Sequence, residues 1–188
     1  MRIAVKGTSG AGKTTLARGI SVTLGIPHTE LDALNWGPHW FNRSVEDPDD
    51  FRRRVDAATS GDDWISCGSY SAVDDLVLGR ASHLVWLDYS RAQVMRQVIF
   101  RSFARACDRR ELWPETGNRE SFLRWFDGEH PIPWAWTTWS RRREYYARIQ
   151  AGGDFAPLHV DRIRSRREIP ALLDRLARAY EHPGSASA

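Results

Sequence analysis

Short apolar runs along this chain are separated by stretches in which apolar residues recur at helical spacing. Ile3-Ala4-Val5, Trp64-Ile65-Ser66-Cys67 and His83-Leu84-Val85-Trp86-Leu87 read as buried strands. Pro27 to Leu31 predicts another strand, ending at Asp32, and Phe155 to Val160 a last one despite Pro157. Between them, Leu16, Ile20 and Leu24 mark a helix from Thr14 to Leu24 closed by Gly25. Phe51, Val55 and Ala58 mark a second, capped by Asp49-Asp50 and running to Gly61. Further helices are expected at Ala72–Leu78, Ser90–Cys107, Trp134–Ile149 and Ser165–Tyr180. Strands alternating with helices predict an α/β domain, a parallel sheet with helices on both faces joined by right-handed crossovers.

Two stretches break the pattern. Leu34 to Phe41 is aromatic and turn-rich, a shaped loop, and residues 108–131 mix Gly, Pro, acidic residues and arginines with weak periodicity, a mobile excursion or lid. Residues 1–182 are expected to form a single domain, with 183–188 a disordered tail.

Ligands in such sheets bind beyond the carboxyl ends of the strands. The first of these ends carries Gly7-Thr8-Ser9-Gly10-Ala11-Gly12-Lys13-Thr14, which fits GxxxxGK[ST]. A loop of this kind between a buried strand and a helix turns successive backbone N–H groups toward one point and cradles phosphate oxygens. Lys13 adds a mobile charge for the β- and γ-phosphates, Thr14 a hydroxyl for Mg²⁺, and Thr15 continues the nucleotide contact. The cofactors expected are therefore ATP and Mg²⁺.

Composition narrows the picture further. The chain has 188 residues with 27 basic and 24 acidic side chains, a net charge of +3 that suits anionic small molecules but is thin for a nucleic-acid binder. All basic residues are arginine except Lys6 and Lys13, so lysine is kept where a slim ammonium must enter a loop. Neither a membrane span nor a signal-peptide pattern is present, which predicts a cytoplasmic protein, monomeric or homodimeric. Cys67 and Cys107 read as small buried hydrophobes, and the histidines lack ligand spacing, so no structural metal is expected.

At the other strand ends, each candidate has a chemical and a bland reading. Asp32 is placed to accept a substrate hydroxyl proton or to organise Mg²⁺, or else caps a turn. Gly68, Ser69 and Tyr70 offer close approach, hydroxyls and a ring to a substrate, or form an ordinary turn. Asp88 after an apolar strand is a Walker-B-type Mg²⁺ carboxylate, or Asp88-Tyr89-Ser90 simply begins the next helix with an N-cap. Arg105, Arg109 and Arg142, from arginine clusters flanking the excursion, could neutralise charge on a transferring phosphoryl group. Trp36 opens the segment expected to shape the acceptor pocket, while Trp134, Trp136 and Trp139 read as packing anchors or as an aromatic wall for a base.

These residues resemble adenylate-kinase-like P-loop kinases, and among them the FlaR-like (DNA-topology-modulation-like) branch. The matching elements are Gly7 to Thr14 with Leu16-Ala17-Arg18, Gly25-Ile26-Pro27 leading to Leu31-Asp32-Ala33-Leu34-Asn35-Trp36, Gly68-Ser69-Tyr70, Leu87-Asp88, and Gly117-Asn118-Arg119-Glu120-Ser121-Phe122. The resemblance implies a P-loop NTPase fold, a five-stranded parallel sheet of order 2-3-1-4-5, and an acceptor bound between strands 2 and 3 under a helical, Arg/Trp-rich lid. It also implies that Arg164, after strand 5, borders adenine. Nucleoside monophosphate kinases carry Asp-Gly-Phe-Pro-Arg where this chain has Cys67-Gly68-Ser69-Tyr70-Ser71, which leaves Asp32 as the carboxylate candidate. The expected activity is transfer of the γ-phosphoryl of ATP to a small acceptor. The alternative is a nucleotide-dependent regulatory or DNA-associated ATPase.

Overall fold

In the computed structural model, residues 1–126, 128, 130–155 and 157–182 are described; the tail expected at 183–188 lies outside them. Strand β1 (Arg2–Gly7) is the centre of the sheet because Ile3, Ala4 and Val5 have no exposed surface and must be covered on both faces. It pairs with β3 (Trp64–Cys67) on one side and β4 (His83–Leu87) on the other. The edges are β2 (His28–Glu30) beside β3 and β5 (His159–Ile163) beside β4. All pairings are parallel, and the order is β2-β3-β1-β4-β5, as the resemblance implied.

Two apolar layers cover the sheet. One joins Ile3, Val5 and Val85 to Leu16, Ala17 and Ile20 of α1 (Lys13–Leu24), Val94 and Val98 of α6 (Arg91–Asp108), and Leu172 and Leu176 of the closing C-terminal helix, Ile169–Glu181. The other joins Ala4, Leu84 and Trp86 to α2 (Leu31–Asn35) and α4 (Pro48–Ala58) through Leu31, Phe51 and Val55. In the same layer α5 (Asp74–Arg80) contributes Val77, and α7 (Pro131–Gln150) Tyr146. A short helix α3 (Arg43–Glu46) precedes α4, and the closing helix is α8. Among the described residues no helix is long and apolar enough to cross a membrane.

Several elements differ from the sequence pattern, each for a local reason. Strand β2 stops at Glu30, and Leu31, wholly buried against Gly68, begins a helix at once, so Asp32 lies in a first helical turn. Strand β5 starts at His159, because Pro157 has no N–H for the ladder and Phe155 has a φ of 68°. Arg162 consequently lies inside that strand. Helix α4 is capped by Asp47, which accepts from the Asp50 N–H, with Pro48 in the first turn in place of the expected Asp49-Asp50 cap. The segment from 108 to 131 carries local structure: a hydrogen-bonded turn between Glu111 and Arg119, and a 3₁₀ turn at Phe122–Phe126.

Candidate active site

The phosphate loop closes over α6. Gly10 has a φ of 86°, and a Cβ there would sit 2.7 Å from the Cβ of Val98, so the loop needs glycine on both counts. Lys13 Nζ donates to the Thr8 carbonyl at 3.2 Å. Burial lowers the Lys13 amine to about 8; Asp32 opposes that shift, while Arg142 and Arg101 reinforce it. Arg101, half-buried on α6, donates to Ser9 Oγ at 3.4 Å and is lowered to about 10, mainly by burial and then by Arg105.

The Nε atoms of Arg101 and Arg142 are buried and have no protein partner. Orphaned guanidinium donors beside an N–H-lined loop suit phosphate oxygens. A cleft of about 420 Å³ runs outward from the loop, lined by Gly10, Gly12, Thr15, Phe100, Arg101 and Arg166, which gives room for a nucleoside. Arg164, expected to border adenine, is exposed and turns toward Asp88 at 4.0 Å; Arg166, two residues on, lines the cleft in its place. The chain turns at Ser165 into a 3₁₀ turn that begins at Arg166, which re-aims the side chains on either side of it.

On the opposite side of Lys13 lies an acidic pair. Thr14 Oγ1 donates to Glu30 Oε1 at 3.1 Å, and the Glu30 carboxyl is raised by burial and by Asp32. Tyr70 donates its hydroxyl to Asp32 Oδ1 at 2.7 Å, and burial with the Asp32 charge holds that phenol well above its ordinary value, as a donor. Asp32 is therefore oriented by Tyr70 and lies within the field of Lys13. Glu30 is a member that the strand-end reading passed over, although Glu30-Leu31-Asp32 could have suggested it.

These groups fit Mg²⁺: a hydroxyl and two carboxylates are hard oxygen donors, and phosphate and water would complete the shell. Among the described residues no group of three or more His, Cys, Asp and Glu could hold an ion unaided. Cys67, whose thiol lies 3.6 Å from Thr14 Oγ1, is pushed up to about 12 by burial and is inert lining. Cys107 is exposed, against expectation.

Other expected residues have different tasks. Asp88 is gripped by Arg162, with Nη2 at 2.6 Å and Nε at 2.9 Å from Oδ2, and by Arg143 Nε at 3.0 Å from Oδ1. Both oxygens are taken up tying β4 to β5 and α7. The N-cap expected within Asp88-Tyr89-Ser90 is Ser90, which accepts from the Gln93 N–H. Ser69 donates to the Gly7 carbonyl at 3.1 Å, while its hydroxyl accepts from Tyr146 at 3.2 Å and its carbonyl from Arg142 at 3.1 Å. It braces the loop floor. Gly68 serves close packing, because a Cβ there would lie 2.7 Å from the Leu31 Cβ.

Arg105 is half-buried and acts on Glu30 through its charge, whereas Arg109 is exposed at the left-handed end of α6, with no contact to the loop. Trp36 is stacked on Trp113 of the 108–131 segment, centroids 6.2 Å apart. Trp139 is an anchor: its indole N–H donates to the Tyr89 carbonyl. Trp134 and Trp136 are largely exposed on α7, and Arg91 stacks on Trp136. Lys6 lies outside the phosphate cradle, in a buried pair with Asp74 at 2.8 Å that Tyr145 completes.

No protein-family model matches the chain, and no curated protein matches it in sequence. Solved structures do match it in three dimensions. Shikimate kinase from Acinetobacter baumannii, in complex with shikimate, aligns over 98% of this chain and 94% of its own at 15% identity, with a TM-score of 0.58. Shikimate kinase from Bacteroides thetaiotaomicron aligns over 96% and 98% at 14% identity, with a TM-score of 0.55. A gluconokinase from Sinorhizobium meliloti aligns over 97% of each chain at 16% identity, with a TM-score of 0.51. What is shared at these identities is the fold, a five-stranded parallel sheet of order β2-β3-β1-β4-β5 with flanking helices.

Proposed function

We propose that this protein is an ATP-dependent phosphotransferase that acts on a hydroxyl group of a small, polyhydroxylated acceptor. The observation that carries the reading is Asp32, held by Tyr70 at 2.7 Å and facing the field of Lys13, with the Thr14–Glu30 pair alongside. Structural neighbours named shikimate kinase, gluconokinase and sugar kinase agree with an alcohol as acceptor. The FlaR-like resemblance, carried by Leu31 to Trp36 and Gly117 to Phe122, is compatible with the same chemistry.

Lys13 and the loop N–H groups hold the β- and γ-phosphates, and Arg101 and Arg142 turn their orphaned donors to the oxygens that gain charge. Thr14, Glu30 and Asp32 would hold Mg²⁺, which when bound neutralises phosphate charge. Asp32 accepts the proton of the acceptor hydroxyl as its oxygen bonds to the γ-phosphorus. The bond between that phosphorus and the β–γ bridging oxygen breaks, and ADP departs with the bonding pair.

The test is incubation with ATP·Mg²⁺ and a panel of aldonic acids, cyclitols, sugars, nucleosides and nucleoside monophosphates, read by ³¹P NMR and ADP release. A phosphomonoester from one acceptor class is the expected result. Tight ATP binding with no phosphorylated acceptor in any class would defeat the proposal and favour a nucleotide-dependent regulatory module.

A further inference from the structure

Gly117-Asn118-Arg119-Glu120 stands out in the sequence, but none of these residues enters the phosphoryl-transfer chemistry above. The structure places Asn118 against the loop that follows α2. That loop is in a conformation its own residues disfavour: His39 and Trp40, neither of them glycine, have φ of 56° and 62° in succession. Two of its backbone bonds are internal, Gly37 N–H to the Phe41 carbonyl at 2.8 Å and Phe41 N–H to the Pro38 carbonyl at 3.1 Å. The Gly37 carbonyl and the Trp40 N–H are met from outside. Asn118 Nδ2 donates to the first at 2.8 Å, and Asn118 Oδ1 accepts from the second at 2.9 Å.

A primary amide is the side chain that offers both a donor and an acceptor at this reach. Asp supplies only the acceptor, and Ala or Leu neither. Asn118 is 2% exposed, so the two bonds compete with no solvent.

The residue is itself held rigidly. Its carbonyl accepts from Leu112 N–H at 2.9 Å, its N–H donates to Thr116 Oγ1 at 3.2 Å, and Gly117 N–H donates to Glu111 Oε1 at 2.6 Å. Aromatic contacts run parallel to this clamp. Trp113 stacks on Trp36 with an interplanar angle of 21°, and the Arg124 guanidinium lies 3.5 Å over the Trp40 ring.

The loop is also coupled to Asp32. The Trp36 N–H donates to the Asp32 carbonyl at 3.0 Å, and buried Asn35 binds Asn42 and the Ser44 N–H across the loop's far end. The residues at the phosphate loop, Lys13, Ser9 and Arg101, receive no hydrogen bond from Asn118.

We propose that Asn118 is a positioning residue for the acceptor: it locks residues 37–41, sets Trp36, and makes the 111–124 segment a fixed wall of the acceptor pocket. The proposal rests on the phosphotransferase reading for the word acceptor, but the clamp itself is testable without turnover.

Asn118→Ala should speed amide hydrogen exchange at residues 36–42 by about tenfold or more. It should also abolish the far-ultraviolet exciton couplet expected of the Trp36–Trp40–Trp113 cluster. The affinity for a fluorescent ATP analogue with Mg²⁺ should stay within about twofold. Asn118→Asp, which keeps the bond from Trp40 and loses the one to Gly37, should fall between and covers the case in which the alanine variant does not fold. With any acceptor phosphorylated in the panel, its KM should rise about tenfold or more while kcat and the KM for ATP hold. Unchanged exchange and an unchanged couplet in both variants would overturn the clamp. A parallel loss of nucleotide affinity would overturn its confinement to the acceptor side. Failure of the whole acceptor panel would strike the phosphotransferase reading and leave the clamp standing on the exchange, couplet and affinity results.

Discussion

The nucleotide side and the acceptor side of this site are built on different plans. The phosphate loop is one unbroken segment, Gly7 to Thr14, whose function lies in backbone N–H groups and one lysine. In the proposed reading the acceptor side is assembled from Glu30 to Phe41, Tyr70 and Trp113 to Arg124, segments brought together by sheet order and by the fold of the 108–131 segment. The difference teaches where specificity has to reside. A triphosphate presents the same oxygens whatever the acceptor, so contiguous backbone suffices; an acceptor's shape must be met by side chains from remote positions.

The comparison breaks most visibly at Asp32. Asp32→Asn should lower kcat by about 10²- to 10⁴-fold, the range of a general base, while nucleotide affinity is retained. Retained turnover would take Asp32 out of the mechanism. Lys13→Met strikes the other side and should reduce turnover on the order of 10²- to 10³-fold together with ATP affinity, measured by titration with a fluorescent analogue.

Gly68→Ala joins the two sides through packing. Its φ is 136° and its Cβ would lie 2.7 Å from the Leu31 Cβ, so α2 and Asp32 must shift, at a cost of about 2 kcal/mol in stability read from urea unfolding. An unaltered midpoint would mean that Leu31 yields freely.

The pH dependence sharpens the nucleotide side. Lys13 binds phosphate as the ammonium, and with its amine lowered to about 8 in the free protein, ATP affinity should weaken above pH 8. The slope approaches about tenfold per pH unit until the higher value of the phosphate-bound amine is reached. Lys13→Met should flatten this profile. The smallest change is expected for Asp88→Asn, which should lower thermal stability by releasing Arg162 and Arg143 but leave the Mg²⁺ concentration for half-maximal activity unchanged. Glu30→Gln should raise that concentration.

Much of this was legible along the chain. The alternation of strands and helices follows from local pattern and the sheet order from resemblance, while the phosphate loop and Asp32 are readings of local pattern that the proposed function takes up. Asp88 and Arg164 were misread because the same strand-end position can face the phosphates or the neighbouring strand, and β5 brings Arg162 to bind Asp88. Ser69 was misread because its partners, Gly7 and Tyr146, lie 62 and 77 residues away. Arg166 and Glu30 lay within a few residues of positions singled out, yet spacing alone does not say where the chain turns or which side chain faces a cleft.

By itself, the sequence determined a GxxxxGK[ST] loop at residues 7–14 and an α/β sheet that supports it. Glycine freedom, an apolar strand and a lysine act over a few bonds, and their consequence needs no distant partner. Only the tertiary structure decided which carboxylates stand beside Thr14, which arginines keep orphaned donors, and that Asn118 reaches a loop 78 residues away to bind the Trp40 N–H. Those outcomes depend on which buried polar groups are left to be satisfied once the sheet, helices and turns have packed. That remainder is a property of the folded whole.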